Sequence, residues 1–152
     1  MPTYPVLHVE DEPTDRIILS AAFKKAAPQV LLQSVTDGEQ AIAYLSGQGE
    51  FENRALHPMP LLLLLDIKLP RKSGLEVLEW IRQQPELRTM PVLMLTSSSE
   101  SNDLDRAYAL GANSYLVKTV DLPTMREIVA GIGEYATLVS TRPIAGTVSA
   151  QA

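Results

Sequence analysis

Through most of the chain, short apolar runs alternate with segments in which apolar residues return every three or four positions. The runs are "PVLHV" (5–9), "VLLQSV" (30–35), "LLLLL" (61–65), "PVLML" (91–95) and "SYLV" (114–117). Their length and their turn-forming borders predict β-strands. For the leucine run, the prediction rests on its shortness and on the Pro60 and Pro70 that bound it.

Helical patterns fill the gaps. Pro13 and Thr14 suit a first turn, after which Ile17, Ile18, Ala21 and Ala22 repeat at helical spacing up to Pro28. Asp37 is the expected N-cap of "GEQAIAYLSG", with Ala41, Ile42 and Leu45 inward. Ser73 can cap "GLEVLEWIRQQ", where Leu75, Leu78 and Ile81 share a face. Ser101 or Asn102 can cap "DLDRAYAL", which closes at Gly111. Asp121 opens a last helix whose middle is weakened by Gly131 and Gly133. The expected division is one domain over 1–139 and a flexible, small and polar tail over 140–152.

Five strands alternating with five helices predict a parallel α/β sheet covered on both faces. Right-handed crossovers and the common strand order 2-1-3-4-5 put the first and third strands side by side. Ligands of such sheets bind beyond the carboxyl ends of the strands, where the winding reverses. The first strand runs into Glu10, Asp11 and Glu12, and the third ends on Asp66. Glu10, Asp11 and Asp66 should therefore meet.

Composition narrows the function. The 152 residues carry a formal charge of −5, which argues against binding a nucleic-acid backbone. There is no cysteine, so disulfides and thiol chemistry are excluded. The longest apolar run is far short of the roughly 20 residues that span a bilayer, and the acidic N-terminus is unlike a signal peptide. The expectation is a soluble cytoplasmic protein.

Carboxylates crowded at one end of a sheet are protonated, paired with bases, or hold a cation. Oxygen donors without His or Cys select a hard ion such as Mg²⁺ or Mn²⁺. Two more strand ends point the same way, placing Thr96 after "LML" and Lys118 after "SYLV". A cation, a hydroxyl and an ammonium around a carboxylate can stabilise a phosphoryl group transferred to it.

The ordered set "VEDE", "LLLDIKLP", "LTSSS" and "GANSYLVK" resembles the receiver domain of two-component response regulators, across about residues 5–138. The "GEFENRALHP" insert and the "RQQPELRTMPVLMLTSSS" stretch resemble the single-domain regulators paired with phytochrome-type histidine kinases. The resemblance implies a doubly wound, flavodoxin-like receiver fold and makes Asp66 the phosphoacceptor. It implies Mg²⁺ held by Asp11, Asp66 and the backbone carbonyl of Lys68, with Glu10 acting through a water. Lys118 would pair with Asp66 and then with the phosphoryl oxygens. Thr96 would donate to the phosphoryl group, and Tyr115 would change rotamer as Thr96 moves. Lys68 and Ser98, two residues past the acceptor and two past the threonine, would tune hydrolysis.

Other candidates have plainer readings. Glu12 suits a first-turn acid that favours the helix dipole. His8 and His57 match no metal or triad spacing, while Trp80, Met90 and Met94 read as packing residues. Two positions depart from the family pattern, with Thr119 in place of the usual proline and Ala136 after Tyr135 where an aromatic pair is frequent. The expected function is a stand-alone phosphoryl-accepting switch rather than an enzyme with a turnover substrate. Its expected partners are a sensor histidine kinase and a second copy, bound through the face made by the fourth and fifth helices and the fifth strand. The alternatives are an interaction module indifferent to phosphate, or a flavodoxin-like or phosphatase-like enzyme. Against the enzymes, "EDEPTD" would repel a phosphate, and Lys68 stands where an aspartyl-phosphate phosphatase wants a second acid.

Overall fold

A computed structural model describes residues 3–119 and 121–140. The strands are β1 (Tyr4–Val9), β2 (Val30–Val35), β3 (Leu62–Leu65), β4 (Val92–Thr96) and β5 (Ser114–Val117). The helices are α1 (Pro13–Ala26), α2 (Gly38–Ser46), α3 (Gly74–Gln83), α4 (Ser101–Ala109) and α5 (Leu122–Ser140), with a 3-10 turn at Gly49–Phe51. All strands pair in parallel, in the order β2-β1-β3-β4-β5. The fold is the doubly wound parallel α/β sheet expected from the alternating pattern.

The leucine run is explained by burial on both faces of the sheet. Successive strand residues point to opposite sides. Leu63 and Leu65 join the core under α2, α3 and α4, while Leu62 and Leu64 join the core under α1 and α5. All four are fully buried. Burying a leucine is worth about 1.5–3 kcal/mol, so apolar surface on both sides outweighs leucine's indifference to strand geometry.

Local signals placed most helix ends. Asp37 accepts from Gln40 N at 2.8 Å, and Ser73 and Glu76 close a reciprocal capping box. Asp121 Oδ2 accepts from Thr124 N at 3.2 Å ahead of α5. The N-cap of α4 is Glu100, not Ser101 or Asn102, because the helix already includes Ser101. The buried face of α1 is Leu19 and Phe23, whereas Ile17 and Ile18 are 69% and 43% exposed. Both faces of α1 carry apolar residues, so periodicity alone could not choose between them. In α2 the core residue missed by the pattern is Tyr44, and Ile42 is only half-buried.

The insert before β3 packs onto α2. Arg54 donates to the carbonyls of Tyr44 (2.7 Å) and Leu45 (3.0 Å) in the last turn of α2 and to that of His57 (3.2 Å), tying the insert to the helix end. His57 lies edge-on to Tyr44 and Phe51, so it is a packing residue. Trp80 and Met90 pack against the core and Met94 is fully buried.

Two glycines permit close approaches. A Cβ on Gly133 would lie 2.7 Å from Ala27 Cβ, so this glycine lets α5 sit against the end of α1 without interrupting the helix. A Cβ on Gly74 would lie 1.9 Å from the carbonyl oxygen of Asp66. Gly74 thus lets the start of α3 press on the backbone of the strand-end acid. The helix α5 runs to Ser140, and the rest of the expected tail lies outside the described residues.

Candidate functional site

The register of the sheet brings the acids together. Val9 lies beside Leu65 in the β1–β3 ladder, so Glu10 and Asp66 are the next residues of adjacent strands. Backbone bonds pin both, with Glu10 N donating to Val35 O at 3.0 Å and Asp66 N to Val9 O at 3.3 Å. Glu10 is completely buried and Asp66 nearly so, while Asp11 is half-buried at the mouth. One carboxylate oxygen from each of Glu10, Asp11 and Asp66 lies within 4.8 Å of the others.

Lys118 reaches this cluster from the end of β5. Its Nζ donates to Asp66 Oδ2 at 3.0 Å, to Asp15 Oδ2 at 2.9 Å, and to Glu10 Oε1. Burial works against the ammonium, but hydrogen bonds to Glu10 and Asp15 and the charge of Asp66 outweigh it and hold its pKa well above the usual lysine range. Burial likewise pushes the Glu10 carboxyl up; the Lys118 hydrogen bond offsets part of that rise and the charge of Asp66 adds to it. The peptide bond from Lys118 to Thr119 is trans, so the missing proline does not keep Lys118 from Asp66.

The residues expected to switch lie next to the cluster. Thr96 is fully buried, and its Oγ1 accepts from Ser98 N at 3.3 Å. Tyr115 donates its hydroxyl to the carbonyl of Ser98 at 2.8 Å. The Ser98 hydroxyl donates to Asp103 Oδ2 on α4 at 2.6 Å, so it is turned away towards that helix. Lys68 is exposed in the loop after β3, and its side chain makes no hydrogen bond or ion pair with a described residue. Glu12 is the exposed N-cap of α1, and its N–H donates to Glu10 Oε2 at 3.2 Å.

Two participants, Asp15 and Arg16, were missed in the sequence, and His8, which matches no ligand spacing, lies beside them. Asp15 is the third carboxylate on Lys118, and Arg16 donates to the carbonyl of Glu10 at 2.8 Å. Asp15 lies in the first turn of α1, where sequence position gives no sign that it meets Lys118. His8 is 2% exposed, and its Nδ1 has no partner among the described residues. With Glu10, Asp15 and Lys118 it borders a cavity of about 350 Å³.

The donor set suits a divalent hard cation. It consists of carboxylates alone, and Asp66 Oδ1 is buried with no hydrogen-bond partner among the described residues. An orphaned buried carboxylate oxygen is costly unless something charged or hydrogen-bonding meets it. Among the described residues no helix is long and apolar enough to cross a membrane.

Comparison with known proteins agrees with this geometry. The family pattern described as "Response regulator receiver domain" matches residues 6–130. Response regulator Rcp1 of Synechocystis sp. is 38% identical over 140 residues, which cover 92% of this chain and 93% of Rcp1. The crystal structure of the phosphorylated cyanobacterial phytochrome response regulator RcpA superposes with a TM-score of 0.80 at 34% identity, covering 89% of this chain and 94% of that one. The Mn²⁺-bound form of Rcp1 superposes with a TM-score of 0.78 at 36% identity, covering 92% and 97%.

His8 gives the site a measurable pH signature. Burial and the nearby Lys118 charge lower its pKa from 6.5 to about 4. Between those values the unfolded chain takes up a proton that the folded chain refuses, so stability must fall as pH drops through this window. The loss attributable to His8 should reach about 3 kcal/mol at most. Urea unfolding in metal-free buffer should show that loss in the wild type and a flatter profile in His8→Leu. Glu10 titrates the other way in both proteins, so the difference between the two profiles isolates His8.

Proposed function

From the premise that the chain belongs to the response regulator receiver domain family, we propose that it accepts a phosphoryl group on Asp66 from the phosphohistidine of a sensor histidine kinase. The observation that carries this reading is the Asp66 carboxylate itself. Lys118 holds its Oδ2, its Oδ1 has no hydrogen-bond partner among the described residues, and Glu10 and Asp11 stand beside it. The resemblance to Rcp1 and to the phytochrome response regulator RcpA favours a phytochrome-type kinase as the donor.

In the proposed transfer, an oxygen of Asp66 forms a bond to phosphorus as the phosphorus–nitrogen bond of the phosphohistidine breaks. The imidazole nitrogen keeps the electron pair and takes a proton. Lys118 and the Thr96 hydroxyl donate to the phosphoryl oxygens, where charge is spread in the transition state. Asp11, Asp66 and the Lys68 carbonyl would hold Mg²⁺ or Mn²⁺, with Glu10 acting through a water because both its oxygens already accept protein donors. When bound, the cation supplies positive charge against the carboxylates and the phosphoryl group. Hydrolysis of the acyl phosphate resets the protein, so it works as a cytoplasmic signalling switch without a turnover substrate. The incorporation of alkali- and hydroxylamine-labile label from acetyl phosphate should be Mg²⁺-dependent in the wild type and absent in folded Asp66→Asn; undiminished labelling of the variant would refute the acceptor.

Lys68 is exposed at the rim, long enough to lie over the phosphoryl oxygens and obstruct an in-line water. Ser98, small and committed to Asp103, offers no carboxamide to orient that water. Decay of labelled protein at fixed Mg²⁺ should be several-fold faster in Lys68→Ala, of the order expected for one exposed charge contact. Unchanged or slower decay would remove Lys68 from the mechanism.

The signal leaves through a surface. On α4 and β5, Leu104, Tyr108 and Val117 are exposed apolar residues, and β5 is a sheet edge next to the segment joined to Tyr115. This α4–β5–α5 face is proposed to form a homodimer whose strength depends on phosphorylation. Light scattering should show a mass or concentration dependence that changes with beryllofluoride; a monomer under both conditions would refute the dimer.

A further inference from the structure

Lys118 is held by one carboxylate more than phosphoryl acceptance requires. Asp66 is the acceptor and Glu10 belongs to the cation pocket, whereas Asp15 reaches in from the first turn of α1. Its Oδ2 accepts from Lys118 Nζ at 2.9 Å, as close as the 3.0 Å contact to Asp66. A lysine ammonium has three N–H donors. With Glu10, Asp15 and Asp66 all accepting, each donor is committed.

A phosphoryl group on Asp66 brings oxygens that Lys118 reaches only by giving up an existing bond. The three acceptors are not equally able to lose theirs. The Asp15 side chain is 39% exposed, against 0% for Glu10 and 7% for Asp66. Water can replace the ammonium at Asp15, while an abandoned Glu10 would be left as a buried, unpaired charge. The anionic phosphodonor must also approach four carboxylates that face one ammonium, and Asp15 is the one outside both acceptor and cation pocket. Arg16 forms no ion pair with Asp15 among the described residues; its guanidinium donates to the Glu10 carbonyl.

We propose that Asp15 is a positioning residue that competes with the phosphoryl group for Lys118, and so slows acceptance at Asp66. Before transfer it draws the ammonium towards α1; on transfer it yields its hydrogen bond to a phosphoryl oxygen and turns to solvent. Glu10 and Asp66 keep Lys118 aimed at the site when Asp15 is replaced. The inference rests on the assignment of Asp66 as acceptor.

The test compares the initial rate of labelling by acetyl phosphate with Mg²⁺ in wild type, Asp15→Asn and Asp15→Glu. Asp15→Asn should label about fivefold faster, the size expected from one partly exposed ion pair. It should also bind beryllofluoride more tightly by a similar factor, an equilibrium change that a purely structural role would not produce. Asp15→Glu, which keeps the charge, should stay near the wild-type rate. If the wild type labels but Asp15→Asn labels no faster, or if Asp15→Glu is as fast as Asp15→Asn, the competition is refuted while the acceptor stands. A wild type that takes no more label than Asp66→Asn overturns the acceptor assignment and this inference with it.

Discussion

Four carboxylates gathered at one end of the sheet repel one another, Glu10 and Asp66 at strand ends, Asp11 in the loop after β1 and Asp15 on the first turn of α1. The Lys118 ammonium lets Glu10, Asp15 and Asp66 stand together. The ammonium is itself mostly withdrawn from water and is compensated by three oxygens in contact. Glu10 and Lys118, the buried members, therefore depend on each other, whereas the 39% exposed Asp15 can exchange the ammonium for water. Removing one member of a buried ion pair costs about 3–5 kcal/mol because it leaves the remaining charge desolvated and unpaired. Asp11 lies outside that network of contacts, at the half-buried mouth. It adds the charge that makes the cluster attractive to a divalent ion.

The sheet makes this arrangement possible. A run of leucines buried on both faces does not by itself fix a register. What a slip of β3 would cost is the placement of Asp66, which would be drawn between the two cores or moved away from Glu10. The order β2-β1-β3-β4-β5 then leaves the crevice at the strand ends open between β1 and β3. Gly74 completes the support, because only a residue without a Cβ lets α3 begin so close to the Asp66 carbonyl. Ser73 and Glu76 cap the same helix, so the backbone under the acid is constrained from both sides.

A second network leads away from the cluster. The segment after β4 is tied through one residue, whose N–H meets Thr96, whose carbonyl meets Tyr115 and whose hydroxyl meets Asp103 on α4. A displacement of Thr96 would be felt by that segment, by β5 and by α4 together. Such coupling needs no long path, since the surface proposed for partner contact begins at these residues. Under the proposed function, this network is the part of the fold that a charge change at Asp66 would bias.

Much of this was readable before any coordinates. Alternating apolar runs gave the element order, Asp37 and Ser73 marked helix starts, and acids ending two strands pointed to the switch point. Asp66, Thr96 and Lys118 stood at strand ends, where periodicity puts side chains in a shared crevice. Other features were decided only by tertiary packing. The sequence offered two apolar faces on α1, and contact with α5 and the sheet chose Leu19 and Phe23 over Ile17 and Ile18. Position alone made Asp15 another exposed helical acid; contact with a lysine 103 residues away put it at the site. Likewise Ser98 turned from a small bystander into a junction once α4 and β5 closed around it. Sequence pattern records whether a residue faces the core, because burial repeats with the period of the backbone. It does not record which distant charge a polar side chain meets, because that depends on how separate elements come together in three dimensions.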